Sequence, residues 1–260
     1  MRQFTSVLVC AFALLAFVGA EENASTSEEN GVVPTRDNSL NEMVIEFLEN
    51  FKQTMVCGNP AMGIPVLAPF HLDHFEIDVD EKGLKFKGQV DDVSIDGLNE
   101  FEIKKIDIKM LKLQMDFEFF FGSIRSKGHY KVKGKTMSLF PFNRSGRFRF
   151  NANGLTLKGS VKVGLNGDKI EIRELLVTPT IKSVKSDIKN AFLVPFSNFI
   201  FNRIVESVVP NLINDNQPAI TELIEQSLKP LINGKLGDLS LQDLIDMVTN
   251  GGGESSPVTC

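Results

Sequence analysis

Histidine is the residue type that most often moves protons or binds metals, and this chain contains three. His71 and His74 lie three positions apart in a segment that alternates like a strand, so their side chains point to opposite faces and do not form a metal site. His129 stands alone after a turn. We therefore expect ordinary strand or surface histidines, and neither a metal nor another cofactor.

The remaining signatures of catalysis are weak. Carboxylates cluster at Asp91-Asp92 and at Glu100 and Glu102, where turns and strand edges predict a solvated surface. The sequence contains no Gly-x-Ser-x-Gly nucleophile motif and no glycine loop for phosphate. A net charge of −5 argues against nucleic acid as a partner, because phosphates require a basic binding surface. We expect that the protein is not an enzyme.

The aromatic composition is the strongest chemical signal. The 260 residues include 21 Phe but a single Tyr, Tyr130, and no Trp. Phe is purely apolar, whereas Tyr and Trp carry hydrogen-bonding groups suited to wet sites. This surplus predicts an extensive dry interior, which is either a filled core or the wall of an apolar cavity.

The N-terminus predicts secretion. Arg2 precedes an apolar run from Val7 to Val18, and small residues follow up to Ala20, where we expect cleavage. The run is too short for a comfortable membrane span, so we expect an extracellular protein without a stable membrane anchor.

Two covalent features accompany this prediction. Sequons begin at Asn23 and Asn143, which we expect to be glycosylated. Cleavage removes Cys10 and leaves Cys57 and Cys260, which are too few for a disulfide framework. Either these two cysteines form one bridge, or Cys57 is unpaired and packs as a small apolar residue.

Hydrophobic periodicity predicts a helix, then a sheet, then further helices. The first helix begins at Ser39, which makes a capping box with Glu42, and ends near Cys57. From Phe70 to about Lys189 the period is two, which predicts seven to nine antiparallel strands. We expect residues 1–20 to be a signal peptide, 21–38 a disordered acidic tail, 39–250 one domain and 251–260 a flexible tail.

Two local features of the predicted sheet are specific. Asn166-Gly167 is typical of a tight hairpin. Between Met110 and Leu111 the apolar positions change from even to odd numbers, which we interpret as a β-bulge within a continuous strand.

The C-terminal helices have their own boundary signals. Pro195 suits the first turn of a helix that Pro210 kinks or ends. A second helix begins at Pro218 and is capped by Asn233-Gly234, and residues Ser240 to Val248 form a short last helix.

The strand from Leu111 to Phe121 places six large apolar side chains on one face, and Phe148 and Phe150 extend this wall. A helix beginning at Pro195 faces the wall, so the interior is either close-packed or a tunnel for a lipid. Tyr130 is the one aromatic residue able to orient a head group by a hydrogen bond. The candidate ligand-binding residues are Phe75, Ile77, Phe86, Met115, Phe117, Phe119, Phe121, Tyr130, Phe148, Phe150, Phe196, Phe199, Ile200 and Ile204.

Five short motifs occur in a familiar order. They are Gly63-Ile64-Pro65-Val66-Leu67-Ala68-Pro69, Ile95-Asp96-Gly97-Leu98, Asn190-Ala191-Phe192, Leu212-Ile213-Asn214-Asp215-Asn216 and Leu228-Lys229-Pro230-Leu231-Ile232. In order and spacing, over nearly all of residues 40–233, the sequence resembles the insect takeout-like and haemolymph juvenile-hormone-binding proteins. It departs from the family's pattern in lacking N-terminal cysteines between Thr35 and Leu40 and in carrying Ala68 where the family has Asp.

The resemblance implies an α+β tubular lipid-binding fold, in which a strongly curved antiparallel sheet wraps a long C-terminal helix. The N-terminal amphipathic helix predicted above completes this fold. The implied function is that of a secreted haemolymph carrier, which encloses a small hydrophobic partner such as a terpenoid or fatty acid in an internal tunnel. The alternative is a secreted salivary or immune protein of the same fold, whose surface binds microbial lipid, a membrane or a host protein. The oligomeric state is left open by the sequence.

Overall fold

The computed structural model describes residues 36–59, 65–81, 84–136, 140–167, 169–191 and 195–236. The predicted signal peptide, residues 21–35 of the predicted acidic tail and the last short helix, together with Asn23 and Cys260, lie outside these residues, whereas residues 36–38 of that tail are described and helical. The elements are α1 (Arg36–Cys57), β1 (Phe70–Glu81), β2 (Leu84–Asp96), β3 (Phe101–Lys109), β4 (Gln114–Thr136), β5 (Phe140–Asn166), β6 (Lys169–Ser186), α2 (Pro195–Asp215) and α3 (Gln217–Leu236).

The six strands form one antiparallel sheet in the order β1-β2-β4-β5-β6. Strand β4 is long enough for β3 to pair with its N-terminal half and β2 with its C-terminal half. The predicted number of seven to nine strands is wrong for the described residues, because segments predicted to be separate are continuous. In β6, for example, Thr178-Pro179-Thr180 does not break the strand, since a proline is tolerated at the edge of a sheet.

The change of apolar phase near Leu111 is a chain reversal, so the predicted β-bulge is wrong. Strand β3 ends at Lys109, a single 3-10 turn follows, and Leu113 adopts a left-handed conformation with φ of 47°. Even positions of β3 then pair with odd positions of β4, as Ile108 pairs with Met115. Leu111 lies at the turn and is fully exposed, so it does not belong to the wall.

Helix α1 covers the N-terminal half of β4. It buries side chains at three- and four-residue spacing, and it ends at Cys57, after which Gly58 has φ of 71° and donates its N–H to the carbonyl of Thr54 at 2.7 Å. The helix begins at Arg36, so Ser39 is not its N-cap as predicted. The buried α1 residues are Val44, Phe47, Leu48, Phe51 and Met55.

The two C-terminal helices follow their sequence signals only in part. Helix α2 begins at Pro195, as predicted, but it continues through Pro210 to Asp215. Helix α3 continues past Asn233-Gly234 to Leu236, so the predicted cap there is wrong. Among the described helices, none combines the length and apolar character needed to cross a membrane.

The predicted hairpin at Asn166-Gly167 is confirmed. Asn166 pairs with Lys169 across the β5–β6 connection, and Gly167 has φ of 71°. A positive φ of this kind is what the tight hairpin requires.

Candidate functional site

Helices α2 and α3 are held along the outer edge of β6 by three asparagine side chains. The Oδ1 of Asn202 accepts from the N–H of Ile188 at 2.7 Å, and its Nδ2 donates to the carbonyl of the same residue at 3.1 Å. Asn214 makes the same pair of bonds to Ile181, and Asn233 makes it to Ile172. An amide carries both a donor and an acceptor, so each side chain replaces one residue of a missing neighbouring strand.

Other side chains of α2 and α3 complete this edge. The hydroxyl of Thr221 donates to the carbonyl of Val177 at 3.0 Å, and the carboxylate of Glu206 accepts from the N–H of Ser186 at 3.0 Å. The Ser186 N–H holds the pKa of Glu206 below its ordinary value, assisted by the nearby charges of Lys185 and Arg203. None of these residues was predicted from the sequence, although Asn side chains on otherwise apolar helices are a usable signal.

At one end of the sheet the candidate wall is a filled core. The rings of Phe117 and Phe119 stack with centroids 5.3 Å apart, and Phe101 meets Phe119 edge-on at 5.5 Å. The same cluster contains residues of α1, and Ile232 of α3. The candidate residues buried here, with at most 9% of their surface exposed, are Met115, Phe117, Phe119 and Phe121. Their role as ligand contacts remains a prediction.

The phase of burial changes halfway along β4. Odd positions are buried up to Phe121, and from Ile124 onward the even positions are the more buried ones. The β4–β5 register continues unchanged across this point, where Gly154 has φ of 63°. Phe148 and Phe150 occupy even positions of β5, so they do not continue the row of core phenylalanines as predicted.

Phe150 instead lies on a face of the sheet that is turned toward α2. It pairs with Ser126 on one side and with Ser186 on the other, and the Ser186 hydroxyl donates to Oδ1 of Asn202 at 2.9 Å. Its ring lies 5.5 Å from the ring of Phe148. A depression of about 370 Å³ is lined by Phe150 and its two serine neighbours together with charged residues at odd positions, among them Arg125, Lys127 and Arg149.

A second depression adjoins the first on the side of α2. It has a volume of about 420 Å³, and its lining includes Phe199, Asn202 and Arg203. Both depressions share the segment from Lys185 to Asp187 at the end of β6. We refer to the two together as the groove. Its apolar residues are Phe150, Ile188 and Phe199, and polar and charged side chains make up the rest of its lining. A depression of this kind suits a small molecule that has an apolar body and a polar head group.

The apolar residues of α2 do not face the Leu111–Phe121 wall as predicted. That wall lies in the core with α1 and α3, whereas Asn202 and Asn214 hold α2 at the edge of β6. A row of α2 side chains at three- and four-residue spacing is therefore 42–68% exposed. The row consists of Phe196, Phe199, Ile200, Ile204, Val208 and Leu212.

Tyr130 is used in a structural contact. Its hydroxyl donates to the carbonyl of Lys189 at 2.7 Å, and burial raises its pKa. The bond ties the chain that follows β6 to the middle of β4. We predicted that this hydroxyl orients the head group of a ligand. In the structure it is hydrogen-bonded to the protein backbone.

The other predicted residues lie on strands β1, β2 and β5. Phe75 is 43% exposed on the edge strand β1, and the backbones of Ile77 and Phe86 pair with Gly88 and Val79, while their side chains lie outside the description. Asn143 is exposed within β5 and not in a turn, and its glycosylation remains a prediction.

Cys57 is disulfide-bonded, which excludes the unpaired alternative. Its partner lies outside the described residues. The bridge to Cys260 remains a prediction.

Two of the three histidines form surface ion pairs. Nδ1 of His74 lies 2.5 Å from Oδ1 of Asp91, and this hydrogen bond raises the pKa of His74. The pKa of Asp91 is lowered by its bonds to Gln89 and His74. His129 lies 3.5 Å from Asp92. In the described part of the chain, no group of three or more His, Cys, Asp or Glu side chains could hold a metal ion.

One known structure in particular shares this architecture. The crystal structure of Takeout 1 from Epiphyas postvittana superposes with a TM-score of 0.56 at 16% identity, covering 76% of this chain and 92% of that one. Lipopolysaccharide binding protein gives a TM-score of 0.34 at 16% identity, covering 75% of this chain and 40% of that one. The curved antiparallel sheet with C-terminal helices is thus the tubular lipid-binding fold that the sequence predicted.

Sequence comparison identifies the family directly. No curated protein sequence matches the chain. The haemolymph juvenile hormone binding protein (JHBP) family matches residues 7–246, which is almost the whole chain. The chain therefore belongs to the haemolymph juvenile hormone binding protein family.

Proposed function

We propose that this protein is a secreted carrier that binds one small hydrophobic molecule, such as a terpenoid or a fatty acid, in the groove. The observation that carries the proposal is the exposed apolar row of α2, whose Phe199 lines the groove together with Ile188. An exposed apolar row of this size on a soluble protein marks a binding surface. The family is named for proteins that bind juvenile hormone, a small hydrophobic molecule.

Apolar contact supplies enough free energy for such binding. A chain of roughly 15 methylenes contributes on the order of 10 kcal/mol when fully buried. Side chains of α2 that now face water, such as Phe199 and Ile204, gain further stabilisation when a ligand covers them. Chemical catalysis has no part in this mechanism, because binding and release of an unchanged molecule complete the function.

Polar groups where the two depressions of the groove meet would set the orientation of the ligand. Ser186 and Asn202 lie where the two depressions meet, and Arg203 lies beside them. Arg203 also donates to Glu206 at 3.1 Å, so its guanidinium is held near the groove. A carboxylate or carbonyl head group of the ligand would lie beside these polar groups, and its hydrocarbon chain would lie along α2.

Displacement of an apolar fluorescent probe tests the carrier proposal. We expect Phe199→Asp to weaken probe binding by at least about tenfold, since a charge would lie against the ligand. Leu111→Asp is the matched control, because Leu111 is fully exposed at the distant β3–β4 turn. Organic extraction of protein from its native source should also release a stoichiometric lipid. The carrier proposal fails if the purified protein binds no probe and releases no lipid.

A further inference from the structure

The C-terminal half of β4 and the adjacent part of β5 carry a concentrated positive charge. Every odd position of β4 from 125 to 133 is exposed, and none of these side chains is acidic. We define the basic face as six of the exposed residues on this part of the sheet: Arg125, Lys127, Lys131, Lys133, Arg147 and Arg149. The whole chain has a net charge of −5, so this positive surface is local.

Within the sheet these charges repel each other. Lys127 is directly opposite Arg149, and Lys87 of β2 is directly opposite Lys133. Like charges in directly opposed positions destabilise an antiparallel pair. Such an arrangement is unfavourable in the free protein, and an anionic partner would relieve it.

Neighbouring carboxylates neutralise little of this charge. Arg125 has Glu100 at 3.7 Å, with both side chains more than half exposed. Within the described residues, none of the other five members of the basic face forms an ion pair. The face thus presents cations that an external anionic partner could neutralise.

From this charge arrangement we propose that the basic face docks the protein on the surface of an anionic lipid bilayer. The cations form a two-dimensional array, with alternate residues roughly 7 Å apart along β4 and a second row on β5. A layer of lipid head groups can neutralise both rows at once, whereas a linear polyanion follows one row. Clusters of Lys and Arg bind such surfaces with a strength that grows with each added charge.

This docking extends the proposed function, because a hydrophobic ligand is loaded from, or released to, a membrane. Arg125, Lys127 and Arg149 of the basic face also line the first depression of the groove, whereas Lys131, Lys133 and Arg147 line neither depression. A bilayer bound to the basic face would therefore lie next to the groove, where the ligand is taken up or released.

Co-sedimentation with vesicles of phosphatidylcholine, with and without phosphatidylserine, tests the docking. We expect binding only to the vesicles that contain phosphatidylserine, and weaker binding at high salt. The double variant Lys131→Gln/Arg147→Gln, at two exposed positions that do not line the groove, should weaken it about 25-fold, since each lost charge near the surface costs about fivefold. Lys112→Gln/Lys158→Gln removes the same charge from exposed positions outside the basic face and should bind like the unchanged protein.

Three results would overturn the docking proposal: equal binding to both vesicle types, a double variant that binds as well as the control, or binding to heparin without binding to vesicles.

Probe displacement separates this proposal from the carrier function. Both double variants should bind the probe normally. A loss of vesicle binding with normal probe binding would therefore support a role of the basic face alone. A loss of probe binding with normal vesicle binding would instead indicate a change in the groove. The Lys131/Arg147 variant should melt no lower than the control, because both side chains are exposed.

Discussion

The side chain of Asn233 hydrogen-bonds both backbone groups of Ile172. Its Oδ1 accepts from the N–H of Ile172 at 2.7 Å and its Nδ2 donates to the carbonyl at 2.9 Å. Ile172 is almost fully buried, with 2% of its surface exposed. A single side chain on α3 therefore supplies the hydrogen bonds that a seventh strand would otherwise have to provide at this position.

This relationship predicts the effect of removing the amide. Asn233→Ala should lower the free energy of unfolding by about 1–3 kcal/mol, because two half-buried backbone groups lose their partner. The measurement is urea unfolding followed by circular dichroism. Asn216→Ala is the control, since the side chain of Asn216, between α2 and α3, is exposed and donates to the carbonyl of Leu212 near the end of α2. Equal stabilities of the two variants would contradict the structural role of Asn233.

The phenylalanines should separate into structural and ligand-contacting residues. Phe117→Ala should destabilise the protein by about 3–5 kcal/mol, because it leaves a cavity in the core. Phe199→Ala should change stability by less than about 0.5 kcal/mol, since Phe199 is 56% exposed, and yet weaken probe binding. Chemical denaturation and probe titration on the same samples check both expectations. A stable Phe117→Ala protein with impaired probe binding would place the ligand in the core.

Glycines on the same sheet should differ in their tolerance of a methyl group. A Cβ at Gly159 would lie 2.0 Å from the carbonyl oxygen of Leu176 and 2.8 Å from the ring of Phe117. Gly159→Ala should therefore cost about 3 kcal/mol. At Gly122 nothing lies within 4 Å of the added atom, so Gly122→Ala should be nearly neutral. Thermal melting of the two variants measures this difference. A Gly159→Ala protein that melts like the unchanged protein would contradict the close contact of Gly159 with Leu176 and Phe117.

The ion pair between His74 and Asp91 should make a small contribution that depends on pH. The pKa of His74 is raised, so its contribution is full below the ordinary histidine pKa and is lost as pH rises through the raised value. The pKa of Asp91 is lowered, so its part is lost only as pH falls through that lowered value. Exposure to solvent screens the pair and keeps the stability effect small.

Proton NMR titration of His74 checks this directly. In Asp91→Asn the pKa of His74 should fall back toward its ordinary value, because the hydrogen bond to Asp91 is the largest cause of the shift. Asp92→Asn should leave the His74 pKa unchanged, since Asp92 is 3.5 Å from His129 instead. A His74 titration that is identical in all three proteins would mean that the contact does not form in solution.

The alternating pattern between Phe70 and Lys189 predicts the antiparallel sheet because strand alternation is local. The turn after Lys109 could not be told from a β-bulge, since both change the apolar phase by one residue. Which face is buried at each end depends on the placement of α1 and α2, which is decided by contacts distant in sequence, such as that between Asn202 and Ile188. For this reason the sequence indicates that Phe117 and Phe199 are both important, but it does not separate core from groove.

The asparagine contacts along β6 also have a consequence for solubility. A sheet with two exposed edges can pair with other chains through its free backbone groups and aggregate. Side chains of α2 and α3 occupy the β6 edge at Ile172, Ile181 and Ile188. The opposite edge strand, β1, carries the acidic residues Asp73 and Glu76, whose charges discourage such pairing. Loss of the asparagines should therefore favour fibril formation as well as unfolding.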